Sequence, residues 1–371
     1  MSRPSIIPQP FAILPWKLLL TVIGIGGFGL VVLYSAAGGN LMPWAGLQGL
    51  RFGVFLVMAI VLSRFTEGFW RQAALPIYLV ILVLIVLVEL LGAAAGGSQR
   101  WLDLGFIRLQ PSELMKPAIV LGCAWFYDRL PAAAIRSWSA LWPTCLLIGA
   151  PVALVMIQPD LGTALMIAAG GMSVMFLAGI PLRLFIGGGL ALAAMLPVAY
   201  AMMHEYQQNR VLIFLDPARD PLGTGYHITQ SKIAIGSGGL TGKGFLQGTQ
   251  SHLDYLPEGH TDFVFATMAE EWGLVGGLFL ILGFVLVVRW GVRVGMRAKT
   301  RFARLVAAGL SMTVFFYFAI NLMMVMGLAP VVGIPLPLVS YGGSAMMTVM
   351  ICLGIMMSID RSDGGRRGFA S

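Results

Sequence analysis

The sequence predicts an all-α polytopic membrane protein, and three observations carry that prediction. Hydrophobic residues make up 58% of the 371 positions and charged residues only 11%, where a soluble domain has roughly 45–50% and about 25%. About ten apolar runs approach the ~20 residues that a helix needs to cross hydrocarbon. The Lys and Arg residues gather in short segments between those runs, as membrane topology requires. This composition excludes an ordinary soluble enzyme and a disordered chain. The net charge of +8 is explained by topology, so no nucleic-acid partner is expected. A single integral-membrane domain over 1–371 is expected, with no internal repeat and no soluble domain at either end.

The runs fall at 13–35, 45–63, 73–95, 113–127, 138–157, 161–180, 183–203, 263–288, 305–327 and 342–359. The first is too long, and too weakly basic at its front, for a cleavable signal, although Tyr34-Ser35-Ala36-Ala37 mimics a cleavage site. The fourth is short at one end. With Met1 inside, sixteen of the 24 Lys and Arg residues lie at inner ends, densest from Arg289 to Arg304. Both termini are therefore expected in the cytoplasm. Twelve of the 16 acids lie outside or within spans, all but Glu67, Asp128, Asp360 and Asp363. Charge beside hydrocarbon usually marks function, so chemistry is expected at the outer half. Residues 204–262 form a long extracytoplasmic loop between the seventh and eighth spans and hold all four histidines. A loop of that length is functional or disordered. Its isoleucines Ile228, Ile233 and Ile235 predict partial order against the membrane. Cys123, Cys145 and Cys352 sit in apolar runs and form no disulfide framework, and no Cys/His zinc spacing is present.

Leu256 to Phe265 places Glu258 and Asp262 four residues apart at the mouth of the eighth span. The helix dipole there favours a charged carboxylate and desolvation favours a protonated one. That opposition suits a general base; the competing reading is that Thr261 or Asp262 only caps the helix. Gly236 to Gly244 fails the Walker A pattern, because Ser237 replaces the first Gly and Gly244 follows Lys243. It is either a glycine nest for a pyrophosphate or a flexible turn. In Gln110 to Lys116, Ser112 can cap the fourth span, and Glu113 and Lys116 share a helical face and can pair, for structure or for substrate contact. Gln158 to Gly162 is a tight turn holding Asp160, which either caps a helix or faces the chemistry. Pro335 to Ser344 cannot be regular helix and is expected to line the outer cavity. Arg51 and Glu89 are intramembrane charges that need partners, with Asp160 or Asp262 suggested for Arg51. No HExxH, GxSxG or GxGxxG motif is present, and the 22 methionines read as packing.

Together these stretches resemble the SEDS family of polytopic peptidoglycan polymerases. The resemblance rests on Arg100–Gly105, Gln110–Lys116, Gln158–Gly162, Asp220–Gly244, Gly248–Phe265 and Pro335–Ser344, in the same order nearly end to end. Gly248-Thr249-Gln250 and the short N-terminal tail favour the elongation-type branch over the division-type branch. The resemblance implies ten helices, both termini cytoplasmic, and glycosyl transfer on lipid II at the outer face of the bacterial cytoplasmic membrane. It implies that Asp262 matches the family's essential aspartate. Substrate contacts are expected from Arg51, Glu113, Lys116, Asp160, Arg210, Lys243, Glu258, His260 and Ser340. It also implies a class B penicillin-binding protein as partner, with other elongation-complex proteins. The leaving undecaprenyl pyrophosphate needs cations or a divalent metal, Mg²⁺ or Mn²⁺, to offset its charge. Two other functions are open. A lipid II flippase would carry charges across the full width of the bilayer, and a scaffold for a transpeptidase would not need so polar an outer mouth.

Overall fold

The computed structural model describes residues 14–91, 93–95, 98–103, 108–202, 223–253, 255–256 and 258–365, with a few isolated positions between 208 and 220. The chain runs α1 (Trp16–Ala36), α2 (Trp44–Leu62) and α3 (Glu67–Leu91), then short strands β1 (Ala93–Ala95), β2 (Ser98–Asp103) and β3 (Arg108–Leu109). It continues through α4 (Pro111–Arg129), α5 (Trp138–Ile157), α6 (Leu161–Ala178), α7 (Leu182–Met202), α8 (Thr224–Gly238) and α9 (Thr249–His252). It closes with α10 (Val264–Arg297), α11 (Arg301–Val325) and α12 (Gly343–Gly365). Each of the ten apolar runs lies on a helix. Among the described residues, eight helices are long and apolar enough to cross a membrane. Outside that set, α4 carries Glu113, Lys116, Asp128 and Arg129, and α7 is apolar over the shorter Leu182–Met195.

Two boundaries differ from the sequence reading. The helix of the third run stops at Leu91, and the chain turns into an antiparallel sheet in the order β1-β2-β3, with Leu102 opposite Leu109 and Asp103 opposite Arg108. The fourth helix starts at Pro111, a residue whose missing N–H suits a first turn. The segment expected as a long loop contains α8, fifteen residues packed on α10 and α11, with Ile228 and Ala234 buried. Its mixture of Thr, Gln, Ser and Gly hid that helix from a reading by hydrophobic period.

The centre of the bundle is α4, buried along most of its length and packed against α3, α5, α6, α11 and α12. Water is not available to drive helices together in a bilayer, so close packing must do it. Gly309 shows the need: a Cβ there would lie 2.7 Å from Val120 Cγ1. Large side chains such as Leu20, Leu50, Val57, Val80, Leu90, Leu146, Leu190 and Val275 point outward. Exposed apolar surface on this scale suits lipid, not water.

One helix is broken on purpose. Inside α10, Gly273 has φ 60° and ψ −154°, a conformation that essentially only glycine adopts. The backbone groups freed by the break are satisfied by the turn after α8. Lys243 N–H donates to the Glu270 carbonyl at 2.9 Å and Gly244 N–H to that of Glu271 at 3.1 Å. In return Leu274 N–H reaches the Gly239 carbonyl at 3.0 Å and Val275 N–H that of Leu240 at 3.2 Å. The turn therefore knits into α10, and its Lys243 and Gly244 amides are not presented as an anion nest.

Candidate functional site

A cavity of about 390 Å³ opens where the β2 segment, α4, the turn before α6, the 331–335 segment and the start of α12 converge. Its walls include Trp101, Gln110, Glu113, Asp160, Thr163, Gly333 and Ser344. The Gln158–Gly162 turn supplies one wall. Asp160 caps α6, Oδ1 accepting from Thr163 N–H at 3.1 Å, while Oδ2 accepts from Gln110 Nε2 at 3.1 Å. The capping and cavity readings of Asp160 thus hold at once. Gly162 lets this turn approach the opposite wall, because a Cβ there would lie 2.6 Å from the Val332 carbonyl oxygen.

Glu113 and Lys116 form the expected ion pair, both buried. The sequence reading missed the third member. Tyr317 of α11 donates to Glu113 and accepts from Lys116 Nζ at 2.9 Å, and Thr348 donates to the Glu113 carbonyl at 3.2 Å. The only outward signal was a phenol in the apolar 305–327 run. Ser112 does not cap α4; Gln110 occupies that position and Ser112 is buried in the first turn.

Asp262 lies two residues before α10. Neither it nor Thr261 caps the helix: the capping position is Phe263, with no side-chain cap. Its carboxylate is half-buried and is not itself among the cavity-lining residues, but its Oδ2 lies 3.4 Å from the point a Cβ on the lining residue Gly333 would occupy. No donor among the described residues hydrogen-bonds to it. Burial, and secondarily the negative charge of Glu258, push its pKa up to about 6. Its main chain is held instead: Asn321 Nδ2 donates to the Asp262 carbonyl at 2.9 Å and to that of Ile334 at 2.7 Å. Asn321 was also unmarked in the sequence reading.

The remaining expected residues surround this centre unevenly. His260 stacks flat on Trp44, ring centres 4.0 Å apart, and burial lowers its pKa against the opposing pull of Glu258. Its carbonyl accepts from Tyr341 N–H at 2.8 Å. Arg51 does not reach toward Asp160 or Asp262; its guanidinium lies 4.8 Å above the Tyr341 ring, and its Cδ is 3.7 Å from a Cβ position on the cavity residue Gly343. Glu258 is exposed and accepts from Thr261. Ser340 is an internal strut, its Oγ accepting from Leu336 N–H at 2.8 Å. Lys243 pairs with Glu270 at 2.7 Å and donates to Thr249 at 2.8 Å, so its charge is spent holding the turn to α10. Glu89 is exposed near the end of α3. Arg210 lies outside the described residues. Among the described residues no cluster of three His, Cys, Asp or Glu side chains can hold a metal ion.

Comparison with known proteins agrees with this architecture. The chain is 45% identical to the peptidoglycan glycosyltransferase MrdB of Escherichia coli K12 over 348 residues, 92% of each chain. It is 36% identical to the probable peptidoglycan glycosyltransferase FtsW of Trichlorobacter lovleyi over 368 residues, 96% of each. A solved chain from a peptidoglycan synthase complex that coordinates polymerization and crosslinking superposes with a TM-score of 0.82 at 32% identity, covering 94% of this chain and 98% of that one. The rod shape determining protein RodA of Thermus thermophilus gives 0.71 at 29%, covering 94% and 97%. The family described as cell cycle protein FtsW/RodA/SpoVE matches residues 16–364. This multi-pass membrane chain therefore belongs to the FtsW/RodA/SpoVE family, the SEDS proteins.

Proposed function

We propose that the protein is a peptidoglycan glycosyltransferase that polymerises lipid II during cell elongation, with Asp262 as general base. One observation carries the assignment of the base. Asp262 is a half-buried carboxylate with no hydrogen-bond donor among the described residues, its Oδ2 3.4 Å from the Cβ position of Gly333, which lines the polar cavity. An alcohol is a poor nucleophile at neutral pH, and a placed base contributes about 10²–10⁴-fold. Asp262 takes the proton of an acceptor sugar hydroxyl as its oxygen bonds to the anomeric carbon of the growing chain. The bond from that carbon to undecaprenyl pyrophosphate breaks, and the electron pair leaves with the phosphate.

Charge develops on that pyrophosphate and must be met. Lys116 is engaged by Glu113 and Tyr317, and Lys243 by Glu270, so Arg51 beside Gly343 is the better placed cation. A divalent ion is ordinarily held by one or two carboxylates with phosphate oxygens completing the shell. Glu113 is paired with Lys116, both Asp160 oxygens already accept hydrogen bonds, and Asp262 is the proposed base, so no metal role is assigned to these carboxylates. The site faces the exterior of the cytoplasmic membrane, where a class B penicillin-binding protein would cross-link the product.

The test is polymerisation of fluorescent lipid II by purified protein, alone and with its transpeptidase, with and without Mg²⁺ or Mn²⁺. Asp262→Asn should fold and give no polymer above background. A folded Asp262→Asn that polymerises near the wild-type rate removes the base assignment.

A further inference from the structure

We propose that Asn321 is the positioning residue that fixes the Asp262 carboxylate against the cavity wall. This rests on the reading of Asp262 as the base and goes beyond it. Asn321 is fully buried in α11. Its single amide nitrogen spends both hydrogens on main-chain carbonyls of two segments distant in sequence, those of Asp262 and Ile334. Carbonyls only accept, so the orientation of the amide is fixed by its partners. One of these segments is the 258–263 turn that presents the carboxylate. The other carries Gly333, the wall that the carboxylate faces at 3.4 Å from the glycine's Cβ position.

Each segment has bonds of its own: Thr261 and Phe263 N–H donate to the Glu258 carbonyl, Thr267 Oγ1 donates to that of Gly259, and Leu336 N–H donates to Ser340 Oγ. Residues 331–336 have no regular secondary structure, Gly333 has φ 68°, and the 258–263 turn includes Glu258 at φ 56°. A main-chain bond from Tyr341 to His260 ties the far end of the loop. None of these bonds joins the 258–263 turn to residues 331–336; among the described residues the Asn321 amide makes that link. The donor sits on a rigid 25-residue helix whose preceding turn carries Tyr317, which holds Glu113 and Lys116. One helix face thus sets two polar groups of the cavity region relative to each other. A purely structural Asn would only satisfy two loose carbonyls. A positioning Asn must also control the rate of the chemical step, because about 1 Å of misplacement of a catalytic group lowers rate about 10²-fold.

The experiment compares wild type, Asp262→Asn, Asn321→Asp, Asn321→Ala and Thr313→Val as purified full-length proteins, using lipid II polymerisation, thermal midpoint and hydrogen exchange. Asn321→Asp keeps the shape but turns the donor into an acceptor facing two carbonyls; Asn321→Ala is the second variant should the aspartate fail to fold. Thr313→Val removes a buried hydroxyl of α11 that bonds only within its own helix. The expected result is a fall in kcat of about 10²-fold with KM within about threefold for the Asn321 variants. Exchange should rise together at 258–263 and 331–336, and Thr313→Val should stay near wild type. A folded Asn321 variant that keeps kcat, or loses it only through KM, overturns the proposal. So does unchanged exchange in those two segments, whatever the activity. If wild type polymerises and Asp262→Asn does too, the base reading falls instead, and the exchange data still judge the tie made by Asn321.

Discussion

Asp262 meets two opposed demands. As a base it must be ionised at working pH, yet its half-buried setting beside Glu258 favours the protonated form and lifts its pKa to about 6. Polymerisation should therefore fall about tenfold per pH unit below about 6, because the unprotonated fraction falls by that factor. The linkage to stability follows the same group. The unfolded carboxyl loses its proton near 3.8 and the folded one near 6, so the unfolded state binds fewer protons between those values. Stability then declines as pH rises through that window, by at most about 3 kcal/mol. Asp262→Asn removes this penalty, and its thermal midpoint at pH 7 should equal or exceed that of wild type while activity is lost. A midpoint well below wild type contradicts the stored cost. Glu258 and Asp262 were legible in the sequence because carboxylates at the mouth of a span are rare. The environment that separates them, one exposed and one half-buried, was not.

At the scale of the element, α4 and α10 show how polar groups are housed inside an apolar bundle. The Glu113–Lys116 pair is buried, where breaking a pair costs about 3–5 kcal/mol because a charge is stranded. Lys116→Met alone should be severely destabilised. Glu113→Gln with Lys116→Met should recover much of that loss, as measured by thermal midpoints in detergent. Additive losses would show that the two side chains do not act as a pair. In α10 the break at Gly273 depends on a backbone only glycine tolerates, with the Leu240 carbonyl 2.7 Å from any Cβ placed there. Gly273→Ala should cost about 1–3 kcal/mol and raise hydrogen exchange at 239–244, since the same break feeds that turn. The glycine-rich 236–244 stretch was visible in the sequence as a nest or a turn. What it completes is a helix broken 30 residues later in the chain, and local spacing carries no signal of that partner.

For the whole molecule, the cation count predicts that the 297–301 connection and both termini lie on one side of the membrane and the 258–262 turn on the other. Single cysteines at Lys299 and at Glu258, in a cysteine-free background, should label from opposite faces of intact cells; labelling of both from one face rejects the topology. The sequence by itself determined a membrane-spanning helical bundle, a helix at each of the ten apolar runs, and several of the polar stretches that wall the cavity. Those follow from local quantities: apolar run length against bilayer thickness, the cost of charge in hydrocarbon, and Gly or Pro that a helix rejects. Only the tertiary structure decided which polar groups meet. Tyr317 closes on Glu113 and Lys116, Asn321 on Asp262 and Ile334, and Glu270 on Lys243, while Arg51 turns to Tyr341. Those pairings join residues up to about 300 positions apart. They are fixed by how buried helices pack, because each polar group in the bundle must find its partner in whatever segment the packing brings within hydrogen-bond reach.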